Sequence, residues 1–416
     1  PSGKLTVPDE SGIKGSDFSR QKKITADAPK EMFMMDFTLS EEQQALQEMA
    51  REFAQKELRP VAAKYDQSHE FAYDVMEKAF QAGFLTGNIP EAYGGGGLSN
   101  LDLAVVSEEL AAGCAGLFTS MMACSLATAP LILFGTEEQK RKFLEPLCRK
   151  MSLAAFCLTE REAGSDAGSV QTRAVRDGDV YVLNGAKCFI TNGGVASLYT
   201  VFANTAPAKG ARGVTAFLVP RDTPGITVGK VEDKMGQRAS NTAEIFFEDV
   251  RVPAANILGR ERHGFIIAMK TFDQTRASVG AASVGVARAA MEAAVAYAKT
   301  RRQFGKPIAL YQAIQFKIAQ MAIEIQAARH LVYHAAWLAD RGLPNGSESA
   351  MAKTFASDTA FAAANEAIQI HGGYGYMRDY PVEKYLRDAK LFQIYEGTNE
   401  IQRMVIAHEV IGPVKE

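Results

Sequence analysis

The chain has 416 residues, too many for one compact core and suited to two or three domains. Its composition, 47% hydrophobic and 23% charged with a formal net charge of −2, is that of a soluble globular protein. It carries neither the electrostatic footprint of a nucleic-acid binder nor a basic amphipathic block for a membrane surface.

The first 34 residues mix both charge signs, offer no apolar core and carry acidic residues with a single arginine, unlike a signal or uncleaved transit peptide. They read as an extension outside the fold, with the native start expected at Met34 or Met35. Helical periodicity begins at FTLSEEQQALQEMAREFAQKELRP, where Thr38 and Glu41 fit a capping box and Leu46, Met49, Ala50 and Phe53 share one face. Pro60 interrupts it, and further helices are expected from Tyr73, from Leu101 and from Glu137 to about Arg149. Between them IPEAYGGGGLSN has no strand–GxGxxG–helix context and no following Lys-Ser/Thr, so it reads as a flexible connection rather than a phosphate cradle. The weakly polar run Ser120 to Gly135 contains serines, a threonine and Pro130 and is too short to span a bilayer.

From about Leu153 to Asn256 the period changes to two. DVYVLNGAKCFITN places Asn184-Gly185 between two strand-like runs, the signal of a hairpin turn. From Gly264 the helical period returns, and ASVGAASVGVARAAMEAAVAYAKTRRQFG, rich in Ala and Val, belongs at the centre of a bundle or at a subunit interface. Later helices are expected near Tyr311 to Asp340, Ser347 to Ile370 and from Pro381 onward. The expectation is an α+β protein: an extension over 1–34, a helical domain over 35–152, a β domain over 153–259 and a helical bundle over 260–416. This order is not that of a doubly wound nucleotide-binding fold.

The five cysteines, at 114, 124, 148, 157 and 188, form no CxxC pair and read as reduced, buried thiols of an intracellular compartment. His330 and His334 are spaced i,i+4 without an obvious third ligand, and read as helix-face histidines rather than a metal site.

Six motifs, in register through all three regions, resemble the acyl-CoA dehydrogenases, most of all their short- and medium-chain branch. They are CLTEREAGSDAGS (157–169), ITNGG (190–194), FDQTR (272–276), RRQFGK (301–306), QIHGGYGY (369–376) and YPVEKYLRDAKLFQIYEGTNEIQR (380–403). The likeness runs from about Phe37 to Val410. It implies an N-terminal helical domain, a middle β domain and a C-terminal four-helix bundle. It also implies FAD-dependent α,β-dehydrogenation of an acyl-CoA, in which a carboxylate removes the α-proton and the β-hydrogen leaves as hydride to flavin N5.

The resemblance assigns the base to Glu396. As a lone glutamate in a late helical segment it would be a surface carboxylate, but the preceding KLFQIY is apolar enough to bury it, and Gly397 gives an acyl thioester access to backbone. Some branches take the base from the position of Thr275, which is not an acid here; Glu400 competes, but the likeness places it and Thr398 beside FAD. Further flavin contacts are implied for Phe156, Leu158, Thr159, Gly164 and Ser165, and for Phe189, Ile190 and Thr191, where many relatives have Trp in place of Phe189. The alternative for Phe189 and Thr191 is an ordinary hairpin strand. Arg301, Gln303, Phe304, Gln312, Gln369, Gly372 and Gly373 resemble residues that reach FAD across a subunit interface, where an arginine suits a pyrophosphate. Ser165, Asp273, Thr275, Arg276 and Gly397 are implied to meet substrate, although Asp273 and Arg276, at i,i+3, also fit a plain helix-surface pair.

The resemblance implies that segment 116–130 helps line the acyl pocket; it has no Arg, Asp or Glu, which disfavours glutaryl-type substrates, and Met121, Met122 and Leu126 offer an apolar wall. The expected substrate is a short- or medium-chain, or alicyclic, monocarboxylic acyl-CoA. The expected partner is an electron-transfer flavoprotein and the expected assembly a homotetramer, a dimer of dimers, with no nucleic acid and no membrane. The setting would be a bacterial cytoplasm, or a mitochondrial matrix in a eukaryote. The same fold working as an enoyl-CoA reductase, an acyl-CoA oxidase or a non-catalytic assembly protein is the alternative.

Overall fold

A computed structural model describes residues 38–414, so the extension expected over 1–34 lies outside the described residues. Helix α1 (Glu41–Phe53) continues through a π-helical turn (Ala54–Leu58) and a 3-10 turn (Arg59–Val61) into α2 (Ala62–Ser68). Pro60, expected to interrupt, is accommodated because these altered turns absorb its missing N–H. After α3 (Tyr73–Gln81) the glycine loop folds back tightly: a Cβ on Gly95 would lie 2.1 Å from the Ile89 carbonyl oxygen. Helices α4 (Asn100–Gly113) and α5 (Ala115–Phe134) follow, then α6 (Glu137–Phe143) and α7 (Glu145–Arg149). The single helix expected from Glu137 is therefore two, parted at Leu144 ahead of Pro146. Reciprocal caps, Ser99 with Asp102 and Thr136 with Gln139, start α4 and α6.

The middle region is an eight-stranded sheet of β1 (Ala154–Cys157), β2 (Arg173–Asp177), β3 (Val180–Thr191), β4 (Leu198–Asn204), β5 (Val214–Pro220), β6 (Ile226–Val231), β7 (Thr242–Pro253) and β8 (Ile257–Leu258). Its order is β6-β7-β3-β2-β4-β5-β8, with β1 parallel to β4. Every residue of β4 is buried, as a strand covered on both faces requires. The expected Asn184-Gly185 hairpin is not there: β3 runs straight through, and the β2–β3 turn sits at Gly178, with φ +61°. Asn184 instead exchanges two hydrogen bonds with Asp249 across a register shift against β7, so the dipeptide makes a bulge.

The last region holds α8 (Gly264–Thr300), the short hairpin β9 (Arg302–Gln303) and β10 (Lys306–Pro307), then α9 (Gln312–Asp340), α10 (Gly346–His371), α11 (Val382–Phe392) and α12 (Asn399–Ile411). Helix α8, with 37 residues, is the spine, packed against α4, α5, α9, α10 and α11. Both α5 and α8 are long and apolar enough to cross a membrane by length and composition, α5 being longer than the run read from the sequence, but each has 67% of its apolar window buried inside the protein.

Two carboxylates at 2% exposure, Glu108 and Glu109 of α4, knit these helices together. Arg329 of α9 grips Glu108 bidentately at 2.8 and 2.9 Å, Arg51 of α1 holds Glu109 at 3.0 Å, and Arg288 of α8 meets both at 3.1 and 2.5 Å. Buried carboxylates persist here because each is matched by guanidinium donors of fixed geometry. Where α4 crosses α8, a Cβ on Gly285 would lie 2.1 Å from the Glu108 carbonyl oxygen. Gly285→Ala is expected to destabilise the protein by about 2 kcal/mol or more through this clash, read as an earlier denaturant midpoint; an unchanged midpoint would contradict the crossing.

Candidate active site

A cavity of about 1510 Å³ lies where the three regions meet. It is walled by Thr119, Met122, Ala123 and Leu126 of α5, by Phe156 to Thr159 at the end of β1 except Cys157, by Phe189, Ile190 and Thr191 of β3, and by Phe272, Asp273 and Arg276 of α8. The turn from Ile394 to Thr398 closes it. Its size exceeds the usual range for one small ligand, about 300–1,000 Å³, and suits a cofactor beside a substrate. Met121, expected in the acyl wall, is buried elsewhere on α5 and does not line the cavity; Met122 and Leu126 do.

On the strand side, the register of β3 against β7 slips between Lys187 and Ile190. This bulge puts Phe189 at φ +57° and leaves its ring 64% exposed, so a β3 aromatic that regular pairing would hold against the sheet stands in the cavity. Behind it Lys187, fully buried, donates to Glu160 at 2.7 Å and to the Leu158 carbonyl at 3.0 Å, while the Cys188 N–H donates to the Thr159 carbonyl at 3.0 Å. Glu160 also accepts from the N–H groups of Gln171 and Thr172. Burial pushes the Glu160 carboxyl up and its lysine partner and donors pull it down, with a net lowering, while burial lowers the pKa of Lys187 against the pull of Glu160. The segment Leu158–Glu160 is thereby fixed to β3. An apolar face at Phe189 and Ile190, with the hydroxyls of Thr159, Ser165 and Thr191 and open space over Gly164, fits a flat ring system with polar edges. An isoalloxazine is such a group.

On the helical side stands Glu396. It is not in a helix, as its neighbourhood suggested, but in the turn between α11 and α12, with φ +53° at Glu396 and +91° at Gly397. A left-handed non-glycine residue costs about 1–3 kcal/mol and persists only where its surroundings enforce it. The enforcement is visible. The Glu396 carbonyl accepts from Arg276 Nε at 3.3 Å and from Gln402 Nε2 at 3.1 Å; the Gly397 carbonyl accepts from Gln402 at 2.9 Å and from Lys353 Nζ at 2.8 Å. Gly397 is a glycine for that reason as well: a Cβ there would lie 2.6 Å from Gln402 Nε2.

The Glu396 side chain is 8% exposed. Its Oε2 accepts from Thr275 Oγ1 at 2.7 Å, whereas Oε1 is buried without a hydrogen-bond partner among the described residues. Burial raises its pKa, opposed by the Thr275 hydroxyl and by the charges of Arg276 and Lys353, and the net shift is upward. A desolvated carboxylate with one free oxygen in a cavity has the form of a general base.

Glu396, Gly397, Thr398, Asp273, Arg276, Ser165, Gly164, Phe156, Leu158, Thr159, Phe189, Ile190 and Thr191 thus share one cavity, with Thr275 touching its acid. Arg276 is engaged inside the protein, 3.6 Å from Asp273 and bonded to the Glu396 carbonyl, and at 4% exposure it is not half of a surface pair. Thr398 caps α12, and Glu400 is an exposed first-turn residue whose pKa is lowered by the helix-start N–H and the Thr398 hydroxyl. Arg301, Gln303, Phe304, Gln312, Gln369, Gly372 and Gly373 do not line this cavity. They gather at the other end of the bundle, where Arg301 stacks 5.5 Å from the Tyr374 ring centre and Phe304 is 94% exposed at the tip of the β9–β10 hairpin. Sequence reading missed Lys353, Gln402 and the Glu160–Lys187 pair. A lysine within the small-residue run SAMAKTFAS of α10 was the available signal.

Models of the acyl-CoA dehydrogenase N-terminal, middle and C-terminal domains match residues 40–151, 155–250 and 262–411. An acyl-CoA dehydrogenase of Bacillus subtilis is 48% identical over 90% of this chain and 99% of its own length. Acryloyl-CoA reductase (NADH) of Anaerotignum propionicum is 47% identical over 91% of this chain and 97% of its own. The structure of butyryl-CoA dehydrogenase from Megasphaera elsdenii superposes with a TM-score of 0.89 at 46% identity, covering 91% of this chain and all of that one. PigA, solved as an FAD complex, superposes at 0.86 with 34% identity over 90% of this chain and 99% of its own. With an aromatic-faced cavity that fits a flavin, and with all three domain models matched in order, the chain belongs to the acyl-CoA dehydrogenase family and is an FAD-dependent oxidoreductase acting on CH–CH bonds.

Proposed function

We propose that the protein dehydrogenates a short- or medium-chain, or alicyclic, acyl-CoA between Cα and Cβ, with Glu396 as the base. One observation carries this reading: a buried carboxylate with an unpartnered oxygen lines the same cavity as the bulged Phe189 and Thr191. Phe156, Leu158, Thr159, Gly164, Ser165, Phe189, Ile190 and Thr191 would hold the flavin ring, and Thr398 and Glu400 would stand beside it. FAD, when bound, supplies the acceptor for the β-hydrogen and its electron pair. Glu396 Oε1 takes the α-proton, while the Thr275 hydroxyl fixes the second oxygen and so the direction of the first. Enolate charge then grows on the thioester oxygen, and a backbone N–H of the left-handed turn at Glu396 is the donor proposed to meet it. Met122, Leu126, Phe156 and Phe272 exclude water and offer apolar surface to the acyl chain. Asp273 and Ser165 would meet the CoA portion; Arg276 is assigned mainly to the backbone of the base.

Arg301, Gln303, Phe304, Gln312, Gln369, Gly372 and Gly373 lie together, away from this chain's cavity, and are proposed to complete the FAD site of a second copy in a homotetramer. The proposed electron acceptor is an electron-transfer flavoprotein. A second reading, the reverse reduction of an enoyl-CoA, is favoured by the 47% identity to acryloyl-CoA reductase. Anaerobic reduction by acyl-CoA, followed by reoxidation with enoyl-CoA, dioxygen or a flavoprotein acceptor, separates the two.

Glu396→Gln is expected to keep its yellow cofactor and its oligomeric state yet fail to bleach when acyl-CoA is added anaerobically; rapid bleaching would remove the base assignment. Because the Glu396 pKa is raised, the base is protonated, and the rate of bleaching lost, as pH falls through a value above the ordinary carboxylate range of about 4–4.5. A profile flat down to that range would contradict the burial argument. In a substrate panel the highest kcat/KM is expected for unbranched or alicyclic monocarboxylic chains, and a maximum for glutaryl-CoA or a very-long-chain thioester would overturn the chain-length reading.

A further inference from the structure

The mechanism leaves the buried cation Lys353 unused. Lys353 of α10 has no exposed surface, yet among the described residues its ammonium donates to no carboxylate. It donates instead to the Gly397 carbonyl at 2.8 Å and to Asn399 Oδ1 at 2.9 Å. Asn399 is locked in turn by its own amide, which donates to Ser357 Oγ at 2.9 Å and to Asp358 at 2.8 Å. Lysine is a flexible, strongly hydrated side chain, and burying it against neutral oxygens is costly unless the charge serves a neighbour. The neighbour is Glu396, one residue before the carbonyl that Lys353 holds.

We propose that Lys353 is a positioning residue for the base: it clamps the Glu396–Gly397 turn in its left-handed conformation through the Gly397 carbonyl, and its charge keeps the buried carboxylate ionised. This rests on the reading of Glu396 as the base and goes beyond it. The clamp is complementary to Arg276 and Gln402, which hold the preceding carbonyl from α8 and α12. The charge has no direct bond to the carboxylate, so Oε1 stays free for the substrate while its ionised form is favoured. The charged groups around the pair are Arg276 and Asp273 on α8, Asp358 on α10, and Glu400 and Arg403 on α12. Burial pushes the Lys353 pKa down to about 7, with Glu396 pulling it upward and Arg276 pushing it further down. The two oxygen acceptors favour its charged form, and lysine and base titrate as a coupled unit.

The test separates proton removal from redox. An acyl-CoA analogue with sulfur in place of Cβ keeps its α-protons but has no β-hydrogen to lose. Exchange of those protons with D2O, followed by NMR on the holoenzyme across pH, reads the base alone. Lys353→Met and Lys353→Gln are expected to slow exchange at neutral pH roughly 100-fold and to move its acid limb upward by about one pH unit. The Kd for the analogue should change little, and Lys353→Arg should restore the acid limb towards that of the unsubstituted enzyme. Exchange within threefold of the unsubstituted enzyme, with the same acid limb, in either neutral variant would overturn the inference. So would insolubility of both, because a purely structural lysine predicts that outcome. Glu396→Gln is the parallel control: exchange persisting there removes the base itself, whereas a silent Glu396→Gln beside unaffected Lys353 variants removes only the role of Lys353.

Discussion

A carboxylate that is buried and has one oxygen without a partner is among the least stable features a protein can maintain, and Glu396 is one. A strong ion pair would stabilise the anion but also occupy the oxygen that must take a proton. The structure resolves this by directing its donors at the backbone. Arg276, Gln402 and Lys353 bind the two carbonyls of the Glu396–Gly397 turn, and among the described residues only the neutral hydroxyl of Thr275 hydrogen-bonds the carboxylate. The charges act through space while the acid remains available.

Rigid supports for those donors come from three helices, α8, α10 and α12, and their mutual placement depends on tight packing. Helix α8 carries Thr275 and Arg276 towards one end and Gly285 near its middle, where only a hydrogen atom fits against the backbone of α4. The same crossing carries Glu108, Glu109 and their three arginines. Fixing α8 against α4 therefore fixes the floor beneath the base, which connects a structural ion-pair network with the geometry of a distant turn.

The opposite wall uses another device for the same purpose. A bulge in β3 turns Phe189 outward, and a buried lysine–glutamate pair ties the end of β1 to that strand. Both walls hold a residue in the left-handed region, Phe189 on one side and Glu396 on the other. Their strain is offset by buried side chains, the Lys187–Glu160 pair beside the first and Arg276, Gln402 and Lys353 at the second.

The sequence by itself determined the order helices, sheet, helices and the central place of α8, because periodicity is a property of neighbouring residues; the grouping of Glu396, Phe189, Thr191 and Thr159 came from the family resemblance, and the shared cavity brings them together. It misread Asn184-Gly185 as a hairpin, since the same dipeptide serves a turn or a bulge and only the partner strand, through Asp249, selects between them. It placed Glu396 in a helix, since nothing local reveals that two carbonyls there are bound by side chains from α8, α10 and α12. Lys353 stayed invisible for the same reason: it lies 43 residues before Glu396 in the chain, and only the packing of α10 under the turn brings its ammonium to the Gly397 carbonyl. Tertiary structure decided those points because burial and hydrogen-bond partners are settled by which distant segments meet.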